Sequence, residues 1–134
     1  MVAYVAKEMC GDLNNVFATG FSNGGMMSNR LGCQAADLFK ATAPVAGNIR
    51  TSASAGFAAC APSDPVGWIS FCGTRDSACN ANFEEVAAEW SRYNGCRAAD
   101  PKPTYVTATT TCYEYDNCAA KTEFCILDQL GHEW

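Results

Sequence analysis

The sequence predicts an α/β fold, with a mostly parallel sheet of about four strands, flanking helices and disulfide cross-links. Short apolar runs that end near glycine alternate with helix-like segments, a pattern typical of strands buried in a parallel sheet. The chain has 134 residues, and 49% of them are hydrophobic, which is enough for one core. Nine residues are cysteines, close to the content of disulfide-rich scaffolds. We therefore treat residues 1–134 as a single domain.

Four segments have the composition of buried strands, because each is short, apolar and followed by glycine within a few residues. They are Val16–Thr19, Lys40–Ala46, Trp68–Cys72 and Phe124–Leu127. The Thr- and Tyr-rich segment Tyr105–Tyr115 is predicted to be extended. The Ser-, Ala-, Gly- and Pro-rich segment 50–65 is predicted to be a loop.

Three segments are predicted to be helical. Residues 2–9 and the segment that begins at Gly24 show helical spacing of apolar residues. The clearest helix covers Asn82–Asn94, where Asn82 and Glu85 match an N-terminal cap. Its predicted core stripe is Phe83, Val86, Ala87 and Trp90. This alternation predicts a sheet covered on both faces, with functional groups beyond the carboxyl ends of its strands.

Charge and hydropathy exclude several classes of protein. The net charge is −5 and the pI is about 4.7, so we expect no nucleic-acid partner, since phosphate binding needs clustered Lys and Arg. The negative net charge also gives no attraction to anionic membranes. No apolar stretch of the sequence is long enough to span a membrane.

The cysteines indicate an oxidising compartment, and we expect a secreted protein. Their number is odd, so at least one thiol is free or pairs between chains. We expect no metal and no cofactor, because the chain has no Cys-x-x-Cys motif and a single histidine. The start has no export signal, which predicts that a signal was removed or that the chain belongs to something longer.

A G-x-S-x-G motif lies between the first predicted strand and the following helix. It consists of Gly20-Phe21-Ser22-Asn23-Gly24. In this context the motif predicts a nucleophile elbow, a sharp turn that exposes the Ser22 hydroxyl above the sheet. The Asn23 amide would then lie at a helix N-terminus, where it favours an oxyanion. The alternative is a Gly-Ser turn without chemistry.

A serine nucleophile needs a base, and His132 is the single histidine. It follows the last predicted strand, where it could reach back over Ser22. Asp76 follows the third strand and is the candidate acid that orients the base, which completes the order Ser, Asp, His. Asp128 is a rival for that role. The alternatives are a surface histidine near the C-terminus and an aspartate that only forms a turn.

Several segments resemble one family of secreted α/β-hydrolase serine esterases, the polyhydroxybutyrate depolymerases and feruloyl esterases. The segments are Val16–Met27, Asp37–Gly47, Phe71–Asp76, Trp90, Asn94–Cys96 and Gly131–Trp134. The resemblance implies Ser22 as nucleophile, Asp76 as acid and His132 as base. It also implies disulfides Cys33–Cys60 and Cys96–Cys118.

The chain departs from this family in two ways. Phe71–Asp76 resembles the family's His-Gly-Thr-x-Asp motif, but Cys72 replaces the histidine. Family members are also about twice as long, so the resemblance implies a truncated α/β-hydrolase without the loop that gives the second oxyanion donor. The elbow strand would then be a bare sheet edge. Three outcomes follow: a homodimer through that edge, a miniature esterase, or a fragment of a larger enzyme.

The function expected from these residues is carboxylic-ester hydrolysis through an acyl-enzyme. Feruloyl, polyhydroxyalkanoate, aromatic polyester and short acyl esters are all open as substrates. Phe21 and Trp134 flank the triad and either bind substrate or serve packing. The rival interpretations are a non-catalytic, secreted interaction module or fragment that needs a partner, and an acyltransferase with the same triad.

Overall fold

A six-stranded mixed sheet forms the centre of the structure, a computed structural model that describes residues 2–47, 59–97 and 100–133. The strands are β1 (Phe17–Phe21), β2 (Ala41–Val45), β3 (Gly67–Gly73), β4 (Lys102–Val106), β5 (Thr110–Glu114) and β6 (Thr122–Leu127). Their order is β1-β2-β3-β6-β5-β4. The pairs β1–β2, β2–β3 and β3–β6 are parallel, whereas β5 and β4 add antiparallel pairs. The predicted α/β fold with a mostly parallel sheet is confirmed.

The four parallel strands fall on the four apolar runs, and the two additional strands come from the segment that was predicted to be extended. That segment turns back on itself, because Thr107 N–H donates to the Thr110 carbonyl at 2.8 Å. The Thr107 hydroxyl oxygen accepts from Thr110 N–H at 3.0 Å. A threonine hydroxyl is a weak turn former. Sequence patterns therefore do not reveal this hairpin.

The helices are α1 (Val2–Met9), α2 (Asn23–Gln34) and α3 (Phe83–Tyr93), with a 3₁₀ turn at Asn80–Asn82 before α3. Asn82 occupies the predicted N-cap position of α3. The predicted stripe on α3 is buried, from Phe83 at 3% exposed to Trp90 at 0%. By contrast, no residue of α1 is buried. The predicted loop at 50–65 lies largely outside the described residues.

The core lies between one face of the sheet and the helices α2 and α3. Trp68 of β3 stacks on Trp90 of α3 with ring centroids 5.9 Å apart. A Cβ at Gly32 of α2 would lie 2.8 Å from the Trp90 ring, so the two helices meet on this face. Along β2 and β3, buried residues alternate with half-buried ones. Among the described residues, α2 and α3 therefore pack on the same face of the sheet.

A buried amide, that of Asn29, ties this core together. Its Oδ1 atom accepts hydrogen bonds from the indole N–H of Trp68 at 2.9 Å and of Trp90 at 3.2 Å. Its Nδ2 atom donates to the Gly47 carbonyl at 2.8 Å. Asn29 is 1% exposed, so these three bonds replace contacts with water. One side chain thus joins α2 to β3, to α3 and to the loop after β2.

Four disulfides connect the described residues: Cys33–Cys60, Cys72–Cys79, Cys96–Cys118 and Cys112–Cys125. The first and third are the pairs that the family resemblance implied, and both are confirmed. Cys10 is exposed and free, which accounts for the odd number. Among the described residues, no helix is both long and apolar enough to cross a membrane.

The strand β1 is an edge of the sheet, as expected for the elbow strand. Its first residue, Phe17, is 62% exposed. A bare edge strand presents unpaired backbone groups to a further strand. A homodimer through this edge stays a prediction.

We expect Phe17→Lys to convert a dimer into a monomer, since a charge on an edge strand opposes pairing. The molar mass should be measured by light scattering after gel filtration over a range of concentrations. Tyr105→Lys is the matched control, because Tyr105 is a 56% exposed aromatic residue on the opposite edge strand, β4. A wild-type chain that is monomeric at every concentration would contradict the dimer.

We expect Asn29→Leu to lower the free energy of unfolding by about 2–5 kcal/mol, because two indole N–H groups and one carbonyl lose their partner in the core. Chemical denaturation followed by tryptophan fluorescence measures this change. Gln34→Leu, an exposed amide on the same helix, is the control and should change stability by less than about 0.5 kcal/mol. Equal effects of the two substitutions would show that the Asn29 network contributes little.

Candidate active site

Ser22 lies at the sharp turn between β1 and α2, as the motif predicts. Its φ is 54° and its ψ is −116°, a conformation that non-glycine residues rarely adopt. Two backbone bonds hold it there: Ser22 N–H donates to the Val45 carbonyl at 2.9 Å, and the Ser22 carbonyl accepts from Met26 N–H at 2.9 Å. Strained backbone of this kind is typical of functional sites.

Glycines allow the backbones around Ser22 to approach closely, but one of them differs from the motif. A Cβ at Gly20 would lie 2.5 Å from the Gly24 carbonyl carbon. The second close contact is at Gly25, where a Cβ would lie 2.6 Å from the Val45 oxygen, whereas a Cβ at Gly24 would meet nothing within 4 Å. On the helix side, the glycine that lets α2 approach the sheet is therefore Gly25, one position beyond the G-x-S-x-G motif.

The structure brings Ser22, His132 and Asp76 into one chain of hydrogen bonds. His132 Nδ1 lies 2.8 Å from Asp76 Oδ2, and His132 Nε2 lies 2.8 Å from Ser22 Oγ. A carboxylate only accepts, so Nδ1 carries the proton and Nε2 is the acceptor for the serine hydroxyl. Asp76 is 1% exposed. This is the arrangement in which a histidine takes a proton from a serine.

The rival acid, Asp128, has a different place. Its Oδ1 atom accepts from the Thr74 hydroxyl at 3.1 Å. That same hydroxyl accepts from Gln129 N–H at 2.8 Å. Asp128 thus helps to join the loop of the candidate acid to the loop of the candidate base.

These two loops are connected along the backbone as well. Thr74 N–H donates to the Leu127 carbonyl at 2.9 Å, and Arg75 N–H donates to the Leu130 carbonyl at 3.0 Å. Neither Thr74 nor Leu130 was among the candidate site residues predicted from the sequence. The threonine of the Gly73–Asp76 motif was the signal that could have indicated Thr74.

Asn23, Phe21 and Trp134 were the other candidate site residues. Asn23 is the first residue of α2, where a main-chain N–H has no acceptor within the helix. The Phe21 ring packs on the His132 ring, with centroids 4.8 Å apart and an interplanar angle of 36°. Phe21 therefore contacts the candidate base, and its contact with substrate stays a prediction. Trp134 lies outside the described residues.

An apolar pocket of about 210 Å³ lies beside these groups, at the carboxyl ends of β2, β3 and β6. It is lined by Val45, Ala46, Phe71, Cys72, Gly73, Leu127, Leu130, Gly131 and Glu133. Gly131 and Glu133 flank His132 in the chain, so the pocket lies next to the base. Its lining does not include Ser22 or His132.

One cluster of the described residues has atoms of the metal-ligating kind within reach of each other, namely Cys112, Glu123 and Cys125. The two sulfur atoms are bonded as a disulfide, so they offer no thiolate. This cluster is therefore a poor metal site.

We expect Gly25→Ala to lower the free energy of unfolding by about 1–3 kcal/mol, because its methyl group would press on the backbone of β2. Thermal or chemical denaturation measures this loss. Gly24→Ala is the matched control in the same helix and should be neutral or stabilising by up to about 1 kcal/mol. Equal stability of the two variants would contradict close packing at Gly25.

Comparison with known proteins gives a family for this chain. The family model described as the prolyl oligopeptidase family matches residues 1–106. Feruloyl esterase B from Piromyces equi is 32% identical over 146 residues, which cover 96% of this chain and 26% of that protein. Probable feruloyl esterase C from Aspergillus terreus is 28% identical, with 99% of this chain and 47% of that protein covered.

The fold has a solved counterpart in the acetyl xylan esterase from Aspergillus awamori. The TM-score is 0.76 at 16% identity, and the match covers 98% of this chain and 59% of that one. The chain spans about a quarter to a half of the length of the two feruloyl esterases. The resemblance to feruloyl esterases is thus confirmed, and the chain belongs to the prolyl oligopeptidase family as a feruloyl esterase-like α/β-hydrolase.

Proposed function

We propose that the chain carries the catalytic triad of a serine carboxylic-ester hydrolase. Ser22 is the nucleophile, His132 the general base and Asp76 the acid that orients it. The observation that carries this proposal is the continuous hydrogen-bond chain, with 2.8 Å on each side of the imidazole. The strained backbone at Ser22 and the feruloyl esterase relatives support it.

The proposed reaction has two halves. His132 Nε2 takes the proton of Ser22 Oγ while that oxygen attacks the ester carbonyl carbon, and the tetrahedral intermediate collapses to an acyl-enzyme. The alcohol leaves with the proton from His132. A water molecule, deprotonated by the same nitrogen, then releases the acid and restores Ser22. No cofactor takes part in these steps.

The negative charge that develops on the carbonyl oxygen needs hydrogen-bond donors. We assign the Asn23 N–H as one donor, because it lies at the start of α2 directly after the nucleophile. Loss of one such donor typically costs about 10²–10³ in rate, or roughly 3 kcal/mol.

The substrates are proposed by analogy with the relatives. Two of them are named feruloyl esterases, which favours hydroxycinnamate esters. The structural neighbour is named an acetyl xylan esterase, so short acyl esters are second. Polyhydroxyalkanoates and aromatic polyesters stay predictions from the sequence. Four disulfides are consistent with the expected secretion.

One structural observation favours the alternative of a non-catalytic interaction module. The helix α1 has no buried residue, and a groove of about 460 Å³ runs between it and β1. A non-catalytic interaction module would use such a surface. The acyltransferase alternative uses the same triad, and product analysis with an added alcohol separates it from hydrolysis.

We expect one covalent adduct on the wild-type chain after treatment with a fluorophosphonate probe, and none on Ser22→Ala. Intact mass spectrometry measures the adduct. Ser63→Ala removes an exposed serine away from the turn and should retain it. A well-folded wild-type chain without an adduct would contradict the proposal and favour the interaction module.

The substrate prediction uses methyl ferulate, p-nitrophenyl acetate and a polyhydroxybutyrate film, with released acid measured by chromatography. We expect the highest kcat/KM on methyl ferulate, and a loss of at least about 10³-fold in Ser22→Ala. Transfer of the acyl group to an added alcohol in preference to water would instead indicate an acyltransferase.

A further inference from the structure

The candidate acid lies inside a small disulfide-closed loop. Cys72 is the penultimate residue of β3, and Cys79 follows seven residues later, with Asp76 between them. Both cysteines are buried, at 3% and 0% exposed, and both belong to the hydrophobic core. The departure from the His-Gly-Thr-x-Asp motif at position 72 thus coincides with a covalent bond across the loop that holds Asp76.

Within this loop the Asp76 carboxylate is held on one side. The side-chain Oδ1 atom of Asp76 accepts from Ala78 N–H at 2.8 Å. The main-chain carbonyl of Asp76 accepts from Asn80 N–H at 2.9 Å. The remaining carboxylate oxygen, Oδ2, faces His132. The direction of Oδ2 therefore depends on where residues 78–80 are placed.

The two ends of the loop are anchored differently. The entrance is held by the backbone bonds of Thr74 and Arg75 to the base loop. At the exit, the disulfide joins Cys79 to β3, and the Asn80 side-chain amide adds an exposed hydrogen bond to the Thr74 carbonyl at 3.0 Å. The exit of the loop is thus joined covalently to β3 through two buried sulfur atoms.

We propose that the Cys72–Cys79 disulfide is a positioning element for Asp76, which keeps its Oδ2 atom directed at His132 Nδ1. This inference rests in part on the proposed function, since its kinetic consequence requires the triad to be active. The disulfide acts through Asp76 and does not touch the reacting atoms. A misplaced acid leaves the imidazole without its orienting partner, which lowers the rate of the chemical steps rather than substrate binding.

The experiment compares two double variants. Cys72→Ala/Cys79→Ala removes this disulfide, and Cys112→Ala/Cys125→Ala removes a second buried disulfide that joins β5 to β6. Both variants lose a cross-link and core volume, so both should lose stability. Each is assayed well below its own melting temperature, after circular dichroism has shown that it is folded.

Two readouts separate positioning from general stabilisation. The first is the split between kcat and KM on p-nitrophenyl acetate: we expect kcat to fall at least ~10-fold in Cys72→Ala/Cys79→Ala, with KM within about twofold, and little change in the control. The second is the deshielded proton resonance of His132 Nδ1–H bonded to Asp76. It should be lost or broadened in the first variant alone.

The outcomes are distinguishable. Full kcat and an intact resonance in Cys72→Ala/Cys79→Ala would overturn the positioning role, and so would equal losses in both double variants. If the first variant does not fold, Cys72→Ala/Cys79→Val restores some buried volume without the bond, and failure of both to fold would assign the disulfide to folding instead. A wild-type chain that shows the resonance but has no esterase activity would contradict the proposed function alone.

Discussion

The structure depends on the buried amide of Asn29. Through it, α2 is hydrogen-bonded to the two stacked tryptophans of the core and to the Gly47 carbonyl in the loop after β2. The backbone of Gly47 in turn lies against the first turn of α2, where an added Cβ would be 2.6 Å from the Ser22 carbonyl. That turn follows the strained backbone of Ser22. The polar network in the core is therefore connected, through Gly47, to the backbone that positions the candidate nucleophile.

The sequence predicted the parallel part of the fold, because each of its strands is buried and apolar and ends near glycine. It did not predict the β4–β5 hairpin, since the turn at Thr107 is made by a hydroxyl group and carries no Gly, Pro or Asn. It also did not predict how far α1 is exposed. Periodicity shows that a helix has an apolar face, but it does not show whether anything covers that face.

The candidate triad was predictable because each member follows a strand of the parallel sheet, and parallel strands end at the same edge. The sequence left Asp76 and Asp128 as rivals, and only the hydrogen bonds of His132 and Thr74 separate them. The Cys72–Cys79 disulfide was not predicted. Four or more cysteines admit several pairings, and the unusual cysteine in the acid motif had no partner that the sequence alone could assign.

The three members of the candidate triad differ in how strongly their surroundings constrain them. Ser22 is fixed by close backbone contacts, and Asp76 is buried in a disulfide-closed loop. The His132 side chain is 39% exposed, and its ring is held by two hydrogen bonds and by the Phe21 ring. Phe21 directly precedes the candidate nucleophile Ser22, so the same segment also packs on the candidate base. In the proposed mechanism His132 exchanges partners between serine, alcohol and water, and it is the most exposed of the three side chains for which the structure gives these contacts.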